Sequence, residues 1–300
     1  MDNPHRRQAT YDLHLHTYWS YDATTQVDTY FHRAQELDMR CLAITEHHIL
    51  DSQDQIAKLA AGYPDIRVIR AAELSVNTSI GGVDLLCYGF PNSLTPFMKE
   101  VLNDYHEWQR EYGASMCRGM QILGHDYTDE HRTEVLRSYR PAHVIELQGA
   151  THVKNQIQRD YFIERGFIQN ANEYRELRQR VRNAVNMPPY PSVEKVTAAV
   201  EQSGALIAIA HPYGYFKHDD RNRMDALREE CRLHGIECAH RSVPLEFTEL
   251  YRAYCKQHGL FSTGGSDCHS DADVQEHLSF HGGKEQWLDE FLERPDGNSE

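Results

Sequence analysis

The chain has 300 residues, which at about 150 per domain allows two domains, although one α/β barrel can absorb about 250. Its 31 Lys and Arg against 45 Asp and Glu leave a net charge of -14, and no basic run breaks that balance, which excludes a bulk electrostatic grip on nucleic acid and disfavours a processive nuclease. The longest apolar run, Ala205 to Ala210, is six residues against about 20 for a bilayer span, and the N-terminal MDNPHRRQAT has no apolar h-region, so neither a membrane protein nor a secretory leader is expected.

In chain order, residues 1–9 are expected to be a disordered end. A strand then spans Tyr11 to His16. Val27, Phe31, Ala34 and Leu37 recur at i, i+4, i+7 and i+10, which is one face of a helix. Strands follow at Cys41 to Glu46, Ile66 to Leu74 and Val83 to Gly89. Residues 95–187 break the rhythm. They are polar, helix-prone and poor in β-branched runs, and predict a mostly helical insertion. Within it Tyr105, Trp108 and Tyr112 recur at helical spacing, predicting a packed helix face rather than a base-stacking platform. His125 and His152 lack a carboxylate at useful spacing and read as structural.

After the insertion, a helix from Ser192 to Ser203, with Ser192 as cap and Gly204 as stop, leads into a strand at Ala205 to Ala210. A helix from Met224 to His234 and strands at Ile236 to Ala239 and Leu260 to Thr263 complete the pattern, and PDGNSE after Arg294 is expected to be disordered. Alternating strands and helices predict an α/β barrel from 10–94 and 188–293, interrupted by the insertion at 95–187. There are no internal repeats. Seven cysteines, an odd number without CxxC spacing, suit reduced core thiols in a cytoplasmic protein.

The 19 histidines stand out, because many lie beside Asp or Glu and imidazole is the commonest protein ligand for transition metals. In Asp12-Leu13-His14-Leu15-His16-Thr17 the two histidines are two apart, and on a strand such side chains share a face. They make either a bidentate metal grip or a hydrogen-bonded surface pair. Thr45-Glu46-His47-His48, Ala71-Ala72-Glu73-Leu74-Ser75 and Gly264-Gly265-Ser266-Asp267-Cys268-His269 end three further strands. In a barrel of parallel strands these ends meet at one rim. Burying so many charges there without a cation would cost several kcal/mol apiece, in the range of about 3–5 for an unpaired buried ion. A multinuclear metal site removes that cost.

The ordered set DLHLHT, TEHH, AAELS, RPAH, AIAHP and GGSDCH, between about residues 10 and 271, resembles the PHP (polymerase and histidinol phosphatase) family. The resemblance implies a distorted seven-stranded, TIM-like α/β barrel around two or three divalent ions (Mn, Fe or Zn). The order and spacing look most like the branch that hydrolyses AMP or 3′,5′-bisphosphonucleotides. On this resemblance His14, His16 and Asp267 would hold a first metal and Glu73 would bridge it to a second. His143 in RPAH matches the second metal's histidine, and Asp22, His47 and His269 match the third ion's ligands. The remaining second-metal position is Asp84, where related sequences often have His; an aspartate there favours harder ions such as Mn²⁺. Glu46 and His48 replace the commoner Asp and Asp or Asn of their motif, which leaves their supporting roles open. His211 would approach the substrate phosphate or protonate the leaving group. Arg140 either supplies a guanidinium fork for a phosphate or is a solvated helix-end residue.

The resemblance thus implies a metal-dependent phosphoric monoester hydrolase acting on a small phosphorylated substrate, most readily a nucleotide, through metal-activated water, with His211, Glu73 and Asp267 at the catalytic centre. Three alternatives stay open: histidinol-phosphate phosphatase activity on the same metal face, amide or lactone hydrolysis, and a non-catalytic metal-stabilised interaction module. No membrane and no nucleic-acid polymer is expected as a partner, and the sequence does not set the oligomeric state.

Overall fold

The computed structural model describes residues 9–294; residues 1–8 and 295–300, which cover most of the two predicted disordered ends, lie outside the description. Ala9, the last residue of the first of these ends, is buried, and its N–H donates to the Ser279 carbonyl at 2.7 Å.

Seven strands form one sheet in sequential order: β1 (Tyr11–Leu15), β2 (Cys41–His47), β3 (Arg67–Thr78), β4 (Gly81–Tyr88), β5 (Leu206–Ile209), β6 (Gly235–His240) and β7 (Phe261–Gly265). The sheet curls back on itself. Beyond the end of β7, the Asp267 N–H donates to the His14 carbonyl at 2.8 Å and the His16 N–H to the Cys268 carbonyl at 3.0 Å, which brings β1 and β7 together. The result is the distorted seven-stranded α/β barrel expected from the sequence.

It departs from an all-parallel barrel in one place. β3 and β4 run antiparallel, as do β4 and β5, while the other neighbours are parallel. The cause is local, because only Ser79 and Ile80 separate β3 from β4. A two-residue connection can join antiparallel strands only, whereas a parallel return needs a crossover of a dozen or more residues. Gly81, with φ of 107°, closes the turn in a conformation that only glycine adopts freely. β3 therefore runs past Leu74 to Thr78, and Glu73 sits within a strand rather than at its end. Since β4 starts where β3 finishes, Asp84 returns to the same rim, in register with Ser75.

The barrel interior is apolar. Leu13, Ala43, Ala71, Leu86, Ala208 and Phe261 are buried together and closed at one end by Leu288 and Phe291 of α12 (Glu285–Leu292). Outer layers come from α1 (Val27–Glu36), α2 (Gln53–Ala60), α8 (Val193–Gln202), α9 (Arg221–Glu230), α10 (Leu245–His258) and α11 (Asp271–His277). The stretch between β4 and α8 holds α3 (Pro96–Ile122), α4 (Asp129–Arg137), α5 (Ala142–Gln148), α6 (Asn155–Glu164) and α7 (Ala171–Ala184), with no strand among them. Thr95 starts α3 by accepting the Met98 N–H, and Pro96 occupies the first turn, where a missing N–H costs nothing. Its first half, with Met98, Val101 and Tyr105, packs in the barrel's outer layer. Its second half, with Met116 and Met120, packs against Phe162, Leu177 and Val181 of α6 and α7. One 27-residue helix thus belongs to both parts of the molecule.

All seven cysteines are buried and unbridged. No helix among the described residues is long and apolar enough to cross a membrane.

The closure of the barrel beside His14 leaves no room for a side chain on Gly265, since a Cβ there would lie 2.3 Å from His14 Cβ and 2.7 Å from His14 N. Gly265→Ala should therefore destabilise the protein by about 1–3 kcal/mol, as overpacking does. It should also move His14. Thermal unfolding should drop by several degrees and bound metal should fall with it; a wild-type melt and metal content would contradict this account of the closure.

Candidate metal centre

The inner face of the barrel changes from apolar to ionisable as the strands approach one rim. Along β3 the residues on the face of Ala71 are next Glu73 and Ser75, and along β4 Asp84 precedes Leu86 on the same face. In β1 the register slips between Asp12 and Leu15, and beyond the slip His14 and His16 reach the cluster. His48, His211 and Asp267, just after β2, β5 and β7, have φ of 66°, 28° and 54°. Non-glycine residues avoid this region, at a cost of order 1–3 kcal/mol each, and hold it only where their surroundings enforce it.

Three donor groups result. In the first, His14 Nε2 and His16 Nε2 are 3.1 Å apart, each 3.2 Å from Glu73 Oε2 and 3.4 and 3.2 Å respectively from Asp267 Oδ1. In the second, His211 Nε2 lies 3.1 Å from Glu73 Oε1 and 3.8 Å from Asp84 Oδ2. The third brings His16, His47 and His269 together, with Asp22 Oδ2 3.5 Å from both His47 Nε2 and His269 Nε2. Glu73 turns one oxygen toward the first group and the other toward the second.

These residues fit divalent metals by three observations. The donors of each histidine-containing triad converge within 4.8 Å. His14 Nδ1 is held by Glu237 Oε1 at 2.9 Å and His269 Nδ1 by the Asp267 carbonyl at 3.0 Å, so in each ring the Nε2 lone pair is left facing the cluster, as in metal-ligating histidines. His47 Nδ1 and Asp22 Oδ1 are buried without a hydrogen-bond partner. The electrostatics agree. Burial alone would raise Glu73, but the imidazoles of His14 and His47 outweigh it and hold the carboxyl well below its usual range. Burial opposes charge on His47, but Asp22 and Glu73 push it up to about 10. Such carboxylates require a positive partner, and a divalent ion bound among them would supply it in place of protons.

Behind the donors stands a supporting layer. Glu237 of β6 binds His14 and accepts the His211 N–H at 2.6 Å. Glu46 accepts from the Thr17 N–H at 3.1 Å and from the hydroxyls of Thr17 and Ser20, which orders the loop that carries Asp22. Burial pushes Glu46 up to about 7 against those donors. His48 stacks on Tyr105 of α3, with centroids 4.8 Å apart and planes 2° apart, and pairs with the Ser75 hydroxyl at 2.9 Å. Ser75 in turn donates to Asp84, whose other oxygen accepts the Tyr215 hydroxyl at 2.6 Å.

Of the residues expected from the sequence, His14, His16, Asp22, His47, Glu73, Asp84, Asp267, His269 and His211 come together at this rim. Two do not. His143, on α5, is exposed and packs edge-on to Trp19 at 5.5 Å, outside the donor groups. The histidine beside Glu73 and Asp84 is His211, not His143. Arg140 is buried and spends its guanidinium on the Tyr18 and Trp19 carbonyls, Thr151 and Gln148, with no fork left for a phosphate. The guanidinium at the rim is that of Arg241, 3.5 Å from Asp267 Oδ2.

Four residues escaped the sequence reading: Glu237, Tyr215, Arg241 and His240, whose Nε2 lies 3.6 Å from Asp267 Oδ2 and which forms a further candidate donor triad with His14 and Glu237. Glu237 carried a signal, a lone acid inside the buried strand GIECAH with a histidine three residues on. Tyr215 and Arg241 carried none, because their roles depend on contacts with distant strands.

Residues 12–187 match the PHP domain family, and the chain belongs to that family. The matched span ends before His211, Asp267 and His269. No curated protein matches the chain. Among solved structures, a candidate metal-dependent phosphoesterase of Bifidobacterium adolescentis superposes with a TM-score of 0.71 at 21% identity, covering 94% of this chain and 95% of that one. An amidohydrolase of Chromobacterium violaceum, solved with sulfate and without metal, gives 0.66 at 20% identity over 92% of each chain. At these identities the likeness concerns the fold.

Glu237→Gln keeps the shape of the support and removes its charge. Metal affinity should fall about 10–100-fold, as for other groups that orient a ligand, while the unfolding temperature of the metal-loaded protein stays within a few degrees of wild type. Unchanged affinity in a metal titration would show that Glu237 only packs.

Proposed function

We propose that the protein is a metal-dependent hydrolase of small phosphomonoesters, most readily nucleotides. The observation that carries the reading is Glu73: fully buried, with its two oxygens in two different donor groups, it suits a carboxylate shared by adjacent ions. His14, His16 and Asp267 would hold one ion, Asp84 and His211 with Glu73 a second, and Asp22, His47 and His269 a third. Bound there, such ions lower the pKa of a water toward about 7 and neutralise phosphoryl oxygens.

The chain's own groups do the rest. Glu237 keeps His14 and His211 in place, and Glu46 holds the 17–22 loop. Arg241, about a third exposed beside Asp267, is the guanidinium suited to contact a phosphoryl oxygen. That cation at the rim favours an anionic ester over a neutral amide or lactone. A small ester also agrees with the charge of -14, which leaves too few free cations to follow a polymer.

The test is phosphate release from nucleotides, histidinol phosphate and sugar phosphates with Mn²⁺, Fe²⁺, Zn²⁺ and Mg²⁺, alongside metal analysis. We expect two to three ions per chain and release from small monoesters. Fewer than one ion, not restored by added Mn²⁺ or Zn²⁺, or hydrolysis of amides and lactones alone, would overturn the reading.

Two variants test the assignment of the second group. Asp84→Ala should cost more than the roughly 100-fold ceiling of outer groups, whereas Asp84→His should retain activity and shift preference toward Zn²⁺. His211→Ala should lose metal together with turnover, and full metal content in that variant would return His211 to a role at the substrate.

A further inference from the structure

His240 ends β6 and has no part in the three donor groups described above. It lies three residues after Glu237, a spacing that a regular strand sends to opposite faces. The register against β7 shifts between Glu237 and Ala239, and the extra residue brings both side chains to the rim. There the His240 ring stands 5.9 Å from that of His14 and 5.6 Å from that of His211, and the residue is only 6% exposed.

Its two ring nitrogens are not alike. Just after the strand the Val243 N–H donates to the His240 carbonyl at 2.9 Å, and the turn this closes sets the Ser242 N–H 3.0 Å and the Ser242 hydroxyl 2.7 Å from Nδ1. A backbone N–H can only donate, so Nδ1 is an acceptor and the proton of the neutral ring sits on Nε2. This is the reverse of His14 and His269, whose Nδ1 atoms face acceptors and whose Nε2 lone pairs face the cluster. With one nitrogen spent on Ser242 and the other carrying a proton, His240 has no lone pair for an ion. The triad that it forms with His14 and Glu237 is therefore not a further metal site.

The Nε2–H is left over. Nε2 is buried without a hydrogen-bond partner among the described residues. Asp267 Oδ2 lies 3.6 Å away, too far for a hydrogen bond. Arg241 approaches that same oxygen at 3.5 Å with one nitrogen and Asp273 at 3.5 Å with another. Two donors thus converge on the side of Asp267 opposite to the oxygen that faces His14 and His16. A buried donor left unsatisfied is costly, and an oxygen supplied by a ligand removes that cost.

We propose that His240 is a substrate-contacting residue of this centre: its Nε2–H, fixed as a donor by Ser242, holds together with Arg241 one non-bridging oxygen of the anionic group at the metal rim. The inference rests on the phosphoesterase reading for the nature of that group. It needs no change of protonation, because the neutral ring donates as it stands. The rim then divides its histidines by tautomer, with those that offer lone pairs facing the ions and His240 facing the substrate.

Two measurements on the full-length, Zn²⁺-loaded protein test this, zinc being diamagnetic. In nitrogen NMR of labelled histidines, the His240 signals, identified by their loss in H240Q, should show a neutral ring with its proton on Nε2, and that resonance should shift when inorganic phosphate is added. In calorimetry, inorganic phosphate should bind H240A about 10-fold or more weakly than wild type. H240Q, whose side-chain amide carries an N–H near the place of Nε2, should recover part of that affinity. Zinc affinity and content should match wild type in both variants. A proton on Nδ1, or loss of zinc in H240A, makes His240 a ligand or the support of one and overturns the proposal. So does equal phosphate binding by wild type and H240A at full zinc content. If no phosphomonoester is hydrolysed but phosphate binding still depends on His240, the donor stands and the phosphoesterase reading falls. Hydrolysis of p-nitrophenyl phosphate by H240A at the wild-type rate keeps that reading and overturns the donor.

Discussion

The structure depends on one electrostatic constraint, the burial of Glu73 against the imidazoles of His14, His16, His47 and His211 at a single rim. A buried carboxylate with no cation is costly, and breaking such a set by removing one partner typically costs about 3–5 kcal/mol. Against the effect of burial, Glu237 and Glu73 hold the His14 imidazole well above its ordinary value, Asp22 and Glu73 do the same for His47, and these two imidazoles hold Glu73 well below its own. A divalent ion bound there would take the place of protons as the partner of these carboxylates. The site is preorganised because the constraint is already met by the fold.

Meeting it distorts the barrel. The antiparallel β3–β4 hairpin lets one strand pair deliver both Glu73 and Asp84 to the rim, where a parallel β4 would have started at the opposite end of the barrel. The left-handed backbone at His48, His211 and Asp267 is a second concession. All three follow strand ends, where the chain would otherwise leave the barrel before its side chain could face inward. Strain of this kind persists only in a rigid surrounding, and Glu237 supplies part of it by fixing both a side chain on β1 and a backbone N–H after β5.

Much of this was legible in the sequence. The βα rhythm, the helical character of 95–187 and the convergence of His14, His16, Glu73 and Asp267 follow from periodicity and from residue types that need a shared counter-ion. The reversal of β4 was less visible, because the apolar alternation of Val83 to Gly89 reads the same in either direction. The RPAH histidine misled for a related reason. A histidine beside an arginine in a motif-like tetrapeptide carries no information about which way its helix faces, and α5 turns His143 outward while Arg140 is consumed by carbonyls of the 18–19 turn. Glu237, Tyr215, Arg241 and His240 depend on contacts between segments far apart in the chain, which local spacing cannot encode.

Two of the three departures from the commoner family pattern, at 48 and 84, turn out to be neighbours. By that resemblance an acid or amide is usual where His48 stands and a histidine where Asp84 stands, so the imidazole and the carboxylate have changed places. Ser75 joins them, pairing with His48 Nε2 at 2.9 Å and donating its hydroxyl to Asp84. Burial keeps His48 uncharged, with the charged His47 adding to that effect. A neutral ring suits its stacking on Tyr105 and lets it take part in a relay of hydrogen bonds rather than compete with the ions for charge. An aspartate at 84 beside another carboxylate at 48 would have added a further negative charge to a rim already rich in them. With His48 neutral, the rim keeps the same number of acids and imidazoles while the oxygen donor moves to the second group. The exchange also ties the metal centre to the insertion, because the ring that supports His48 belongs to α3, the helix shared by both parts of the molecule.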